Sequence, residues 1–539
     1  MRPVWLVSWI AAAGLAACLG ADASAPAPRL TGSVTDAAGT ALAGAFITVQ
    51  PAGAVHTHTR ITDSRGRFAF DELEAGTYTL TAHRPGLTTF TDALTVPATG
   101  GAIRDIVLEP GEVTPADVSS GSFLALLPDG PEKRRFMLDC TGCHVLDARI
   151  ALLEGRPRTA AEWAEATERM LGYAGASTAF PVIAHDREAA ATAAYLAAHL
   201  GGEAGTLPPL APPVVPDPTT AGALITEYAI PEPEDLPHDL AIDATGRILI
   251  TGMFTNRLYV LDPTTARFDT IAIPVTNANP RAIEVAADGS WWVLLGAPMR
   301  VARYDPASAG WQSFDIGMYG HSIGIDREGR AWSNGHFTRD PIVLGYVEPA
   351  SGELETFEAP ANPMVATGGN PIPYELRIAP DGTVWTSELT GNRVVALEPT
   401  SRTFRVHTMP TPHSGPRRID VASDGSVWIP EYANNALARL DPVTGAIREW
   451  PLPLPDAAPY VARVDPRSGI VWIGTGAADA LLAFDPATER FTIYRLPTRG
   501  ALVRHLAVDP RNGEVWAAYG ASPGIPARVA RLRPPAPVR

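Results

Sequence analysis

Cysteine is scarce: the chain has three in 539 residues. That excludes a scaffold held together by disulfides. Basic runs are missing as well. Lys and Arg total 43 against 58 Asp and Glu, for a formal charge of −15. An acidic chain without a basic stripe has no electrostatic footprint for nucleic acid. Beyond the first residues no apolar run is long enough to span a bilayer. What remains is a chain with 46% hydrophobic residues, ordinary for a globular protein. It is too long for one core, so roughly two to four domains are expected.

Residues 1–25 read as an export signal: Arg2, an apolar run from Val4 to Ala17, and the small-residue site Ala23-Ser24-Ala25. Leu15-Ala16-Ala17-Cys18 also resembles a bacterial lipobox, which would make Cys18 a lipidated first residue. Both readings place the mature chain outside the cytoplasm, in the periplasm or lipid-anchored at the envelope. Any membrane attachment runs through that anchor alone.

The other two cysteines stand in Cys140-Thr141-Gly142-Cys143-His144. C-x-x-C-H is the attachment signal for one covalent c-type haem, and the histidine separates it from a redox pair. At the end of a helix the two sulfurs share a face. Cys140 and Cys143 are the thioether candidates, and His144 is the proximal iron ligand. Around the motif, Pro131–Cys140 reads as a helix. A second helix runs from N-cap Thr159, with Glu162 three residues on and Trp163 on its apolar face, to Tyr173. A third spans Arg187–Leu200. Residues 120–203 resemble a small class I cytochrome c domain. The resemblance implies that the first and last helices cross, Phe136 against Tyr195. It also implies a methionine on the far side of the haem. Met170 is the candidate and His185 its competitor, while Met137 is too close to Cys140.

Residues 28–112 hold short apolar runs broken by Gly39, Gly44 and Gly66. Their patterns G-x-V-T-D-x-x-G, T-D-x-x-G-R-F and L-x-A-G-T-Y-T-L resemble the carboxypeptidase regulatory-like domain, a β-sandwich. His56 and His58 lie two apart, without a third metal ligand nearby, and read as a solvent-facing hairpin. Residues 204–222 are a proline-rich, extended linker.

From residue 223 to 535 a unit of about 40 residues repeats, the propeller period. Seven units are marked by Gly246, Gly289, Gly329, Gly382, Gly425, Gly469 and Gly513. Leu224–Ile230 reads as an outer strand closing the ring against Arg528–Leu532. The unit G-P-R-x-I-x-V-x-x-D-G-x-V-W-x-x-E, complete from Gly415 to Glu431, resembles the streptogramin (virginiamycin) B lyase family. The fold class expected is therefore multidomain and mainly β: a small sandwich, a helical domain and a seven-bladed propeller.

Aligned on their glycines, the seven units place His238, Arg281, His321, Tyr374, Arg417, Tyr460 and Arg504 at one position ahead of the innermost strand. That predicts a cationic, hydrogen-bonding funnel at one mouth of the channel, suited to a small polar or anionic ligand. Glu375 and His505 flank it. The lyase resemblance implies a channel histidine as acid/base and a magnesium ion. The candidates are His238 or His321 for the base and Glu388 or Glu431 for the metal, with Arg417 in the catalytic set. The fused haem motif points instead to electron transfer with a redox partner protein or other acceptor. Three readings are carried forward: a haem-linked electron-transfer protein whose propeller binds or oxidises a small molecule, a C–O lyase with an accessory haem domain, and a non-enzymatic envelope binding protein.

Overall fold

The structure is a computed structural model that describes residues 30–183, 187–520 and 524–535. The leader, with Cys18, and the competing ligand His185 lie outside the described residues.

The N-terminal segment is a two-sheet sandwich. One sheet is built on Leu30–Asp36, which pairs with Arg67–Phe70 and with two short strands near residues 102–108. The other runs in the order His56–Ile61, Phe46–Pro51, Gly76–His83, Phe90–Val96. Alternate residues such as Val34, Ile47, Val49, Phe68, Leu80 and Ile106 fill the space between them.

The C-terminal region forms six antiparallel four-stranded sheets over residues 237–272, 280–315, 320–359, 373–408, 420–451 and 459–495. A seventh consists of His505–Val508, Val515–Tyr519 and Arg528–Arg533, completed by Leu224–Ala229. The closing strand is where the sequence places it. Each unit's marker glycine takes a positive φ, from 74° to 92°, in the turn between its first two strands. Such a turn favours glycine in every unit, which is why the repeat is legible. Buried Trp292, Trp332, Trp385, Trp428, Trp472 and Trp516 on the second strands fill the spaces between sheets.

The closing strand has a second partner. Ile225, Thr226, Glu227 and Tyr228 pair with Thr59, His58, Thr57 and His56. Seventh blade and sandwich thus form one eight-stranded sheet. The expectation of a solvent-facing hairpin at His56 and His58 is corrected: both lie in this seam, with His58 Nδ1 2.9 Å from Thr226 Oγ1.

Between sandwich and propeller the described residues form five α-helices, α1 (Ser120–Leu124), α2 (Pro131–Cys140), α3 (Ala148–Ala151), α4 (Ala160–Ala174) and α5 (Ala189–His199). α2 has the bounds read from sequence. α4 starts after N-cap Thr159, whose hydroxyl accepts from the Glu162 amide while the Glu162 carboxylate accepts from the Thr159 amide. Phe136 meets Tyr195 at a ring separation of 6.4 Å. The helical core is not closed on itself. Phe123, Leu138, Trp163 and Leu196 belong to one apolar cluster with Ile372, Tyr374, Tyr432, Tyr460 and Leu502 of the propeller. The helices therefore sit on the propeller. Lys133, the only lysine of the sequence, is buried in that contact and pairs with Asp456 at 2.8 Å.

Candidate functional site

α2 delivers Cys140 as its last residue, and the Thr141 amide closes the helix onto the Met137 carbonyl. Neither Cys140 nor Cys143 is in a disulfide; Cys140 is partly buried and Cys143 exposed. Burial pushes the Cys140 thiol up to about 12. His144 Nδ1 lies 3.3 Å from the Val145 carbonyl. A carbonyl can only accept, so Nδ1 donates in this contact, which in the neutral ring leaves Nε2 as the nitrogen that can ligate a metal.

Cys140, Cys143, His144 and Met170 all line one cavity of about 480 Å³. The rest of its wall is largely apolar, with Phe136, Leu146, Ile150, Trp163 and Leu196, and three arginines, Arg158, Arg169 and Arg187. Such a volume with a few convergent polar groups is that of a cofactor or small-molecule site. Trp163 is buried in this wall and its indole N–H has no hydrogen-bond partner among the described residues. A buried donor without an acceptor costs stability, so an occupant that supplies one fits there. The donor set, the cavity and the orphaned N–H all suit a haem.

The seven-unit position also converges, and β-bulges explain how. In five blades the innermost strand carries an extra residue at this point, between Pro237 and Leu240, Pro280 and Ala282, Gly320 and Ile323, Pro373 and Leu376, and Pro459 and Val461. A bulge re-aims the side chain it contains. Tyr374 and Tyr460 meet through their hydroxyls at 2.7 Å. Arg417 donates to Tyr374 at 2.9 Å and lies 3.6 Å above the Tyr460 ring. His321 packs 4.0 Å from Tyr374 and 5.2 Å from His238, centroid to centroid. Arg281 donates to Tyr319.

The mouth at this ring is covered. All seven residues are buried, none more than 5% exposed, because the helical segment covers this mouth. Arg504 Nη2 donates to the Cys143 carbonyl at 2.6 Å and Arg417 Nη2 to that of Gly142 at 3.4 Å. Across the mouth, Phe180 packs on Tyr319 and Phe337 and lies under Arg281.

The histidines named as bases are held neutral. Burial brings His238 down to about 4, against the pull of Asp239, and pushes His321 well below its usual range. His238 Nδ1 meets the Arg281 carbonyl at 2.6 Å and His321 Nδ1 that of Tyr374 at 3.0 Å. Sequence reasoning missed His336, stacked 4.6 Å from His321.

It named Glu375 and His505 beside the ring but missed Asp239 and the arginines that join them in the channel. Arg418, fully buried, donates to Asp239 at 2.5 and 3.1 Å. Glu375 joins Arg418 at 3.4 Å, Arg463 at 2.9 Å and Arg377 at 3.0 Å, and Arg463 meets His505 at 2.8 Å. Asp239, Glu375, Arg418 and His505 each directly follow a ring residue. A charge at this position in otherwise apolar strands was the available signal.

Glu388 and Glu431 do not join this centre. Glu388 is tied to Asn362 and Arg393, both at 2.7 Å. Glu431 accepts from Asn434 at 2.8 Å; burial and the neighbouring Glu449 push its carboxyl up to about 8. Among the described residues no group of three or more His, Cys, Asp or Glu is placed to hold a metal ion. Neither Glu388 nor Glu431, the alternative candidates for holding magnesium or another divalent ion, lies in such a group.

Residues 361–528 match the virginiamycin B lyase family and residues 29–109 the carboxypeptidase regulatory-like domain. No curated protein matches the chain. Among solved structures, the selenomethionine-substituted virginiamycin B lyase of Staphylococcus aureus superposes with a TM-score of 0.51 at 17% identity, over 57% of this chain and 99% of that one. A catalytically inactive histidine-to-alanine variant of that enzyme with quinupristin gives the same TM-score, identity and coverage. A streptogramin B lyase gives 0.51 at 17%, over 58% and 98%. Likeness at this identity is one of fold. The chain carries a carboxypeptidase regulatory-like domain and a virginiamycin B lyase-like propeller.

Proposed function

We propose that the chain is an exported electron-transfer protein in which residues 120–203 form a cytochrome c domain carrying one covalent haem. The observation that carries this reading is the shared cavity: Cys140, Cys143, His144 and Met170 line its wall. The two cysteine sulfurs would form the thioethers, His144 Nε2 would be the proximal ligand and Met170 the distal one. Haem bound there supplies a one-electron ferric/ferrous couple. Phe136, Trp163 and Leu196 exclude water from the site, and the Trp163 N–H offers a hydrogen bond to a carboxylate of the bound group. Cys143 is exposed, so a redox partner or small acceptor approaches at this edge. Export follows from the leader, because c-type haem is attached on the exported side in bacteria.

The test is protein matured with the haem-ligation machinery and a reduced-minus-oxidised visible spectrum taken during a substrate screen. Bands of a six-coordinate c-type haem, reduced by a substrate or partner, support the reading; a colourless product of that maturation overturns it.

A second reading, a C–O lyase with His238 or His321 as base, is favoured by the family match over residues 361–528. Against it stands the covered mouth. Ring-opening of a cyclic depsipeptide without any electron acceptor would select it.

A further inference from the structure

The loop Thr141-Gly142-Cys143 follows the C-terminus of α2, where backbone carbonyls lack helical partners. All three of its carbonyls are taken by propeller side chains. Tyr432 donates to Thr141 at 2.7 Å, Arg417 to Gly142 at 3.4 Å and Arg504 to Cys143 at 2.6 Å. Arg417 is fixed in turn by an aromatic box, its guanidinium 3.6 Å from the Tyr460 ring centre, 4.3 Å from Tyr432 and 4.7 Å from Tyr374. The fit is close: a Cβ on Gly142 would lie 2.9 Å from Arg417 Nη2.

Charge is the second part. Arg417 and Arg504 are each 3% exposed, and among the described residues neither forms an ion pair with a carboxylate. Their partners are phenols, carbonyls and ring faces. Two positive charges therefore stand buried and uncancelled against the loop that holds Cys143 and precedes His144. Screening is weak at such a site. A ferric haem carries one more positive charge than a ferrous one, so fixed cations beside it favour reduction.

We infer that the propeller sets the position and the reduction potential of the haem, with Arg417 and Arg504 as positioning residues that grip the C-x-x-C-H loop by its carbonyls. This rests on the haem reading above. It gives the propeller a task other than substrate turnover and explains why the ring is covered.

The experiment uses the full chain matured with haem, in parent form and as Arg504→Gln, Arg504→Lys and Arg417→Gln. Redox titration against a one-electron mediator is expected to shift about tenfold toward the ferric form in each Gln variant, about 59 mV. Arg504→Lys keeps the charge and is expected to recover most of that shift. Hydrogen exchange on the haem-free chain is expected to show faster exchange at residues 141–144 in both Gln variants. If the parent loads haem and both Gln variants keep its potential and its exchange, the inference fails while the haem reading stands. If the parent loads no haem, the haem reading fails and the potential claim with it. If Arg504→Gln melts like the parent but loads no haem, loading by Arg504→Lys supports the grip; failure of both overturns it.

Discussion

The helical segment and the propeller channel meet at one interface and differ in how their charged groups are matched. The channel is closed by its own charges: Arg418, Arg463 and Arg377 pair with Asp239 and Glu375. The helical cavity gathers two thiols outside any disulfide, the His144 imidazole, a thioether and an indole N–H without an acceptor among the described residues. A protein that satisfies a polar cluster internally has built a support. One that leaves donors facing an apolar cavity has built a place for something else. The proposed haem site at Cys140, Cys143 and His144 is of the second kind, although His321 Nε2 and Arg281 Nε of the channel also lack partners among the described residues.

The sharpest way to break the contrast is to remove the thiols. Cys140→Ala with Cys143→Ala should abolish covalent haem altogether, read as loss of haem staining after denaturing electrophoresis, with the propeller's melting unchanged. Next in size is the channel. Arg418→Leu leaves Asp239 buried without its main partner and should cost about 3–5 kcal/mol, read from the denaturant midpoint. If that variant kept full stability but lost activity, the channel would be the working site.

Much of this division is legible in the sequence, but not where the two regions meet. The marker glycines show because one turn with positive φ recurs in every blade, and Thr159 with Glu162 announces α4 because a capping box is local. Cys140 to His144 needs only five consecutive residues. The covering of the ring was not legible: Arg504 and Cys143 stand 361 residues apart and no period links them. Nor was the pairing of His58 with Thr226, 168 residues away, which converts an edge strand into a seam. The Arg418 network was missed for a different reason. Neighbouring residues of a strand face opposite sides, so aligning one position per blade selects the ring and passes over the layer beside it.

Two smaller effects sharpen the contrast. Met170→Ala should lower the haem potential and remove the weak charge-transfer band of Met-ligated ferric haem near the red end of the spectrum, because thioether ligation favours the ferrous state. An unchanged spectrum would move the sixth ligand elsewhere, His185 being the next to replace. The smallest effect concerns Glu431, whose carboxyl is raised to about 8 by burial and Glu449. Its neutral form suits the fold. Its contribution is therefore complete below the unfolded carboxyl pKa near 4.5 and is lost as pH rises through about 8. Glu431→Gln should match the parent near pH 4.5 and become the more stable of the two as pH rises, the margin levelling off above about pH 8. A stabilisation independent of pH would show that the carboxylate is already ionised in the fold.

The central claim is that the unmatched groups of the helical cavity hold a covalently bound haem. The most direct measurement is the intact mass, under denaturing conditions, of the chain matured with the haem-ligation machinery. The account predicts the mass of the processed chain plus one haem, and the bare chain mass once Cys140 and Cys143 are both replaced. A parent chain that runs at its bare mass, or that keeps added haem mass without those two cysteines, would contradict it.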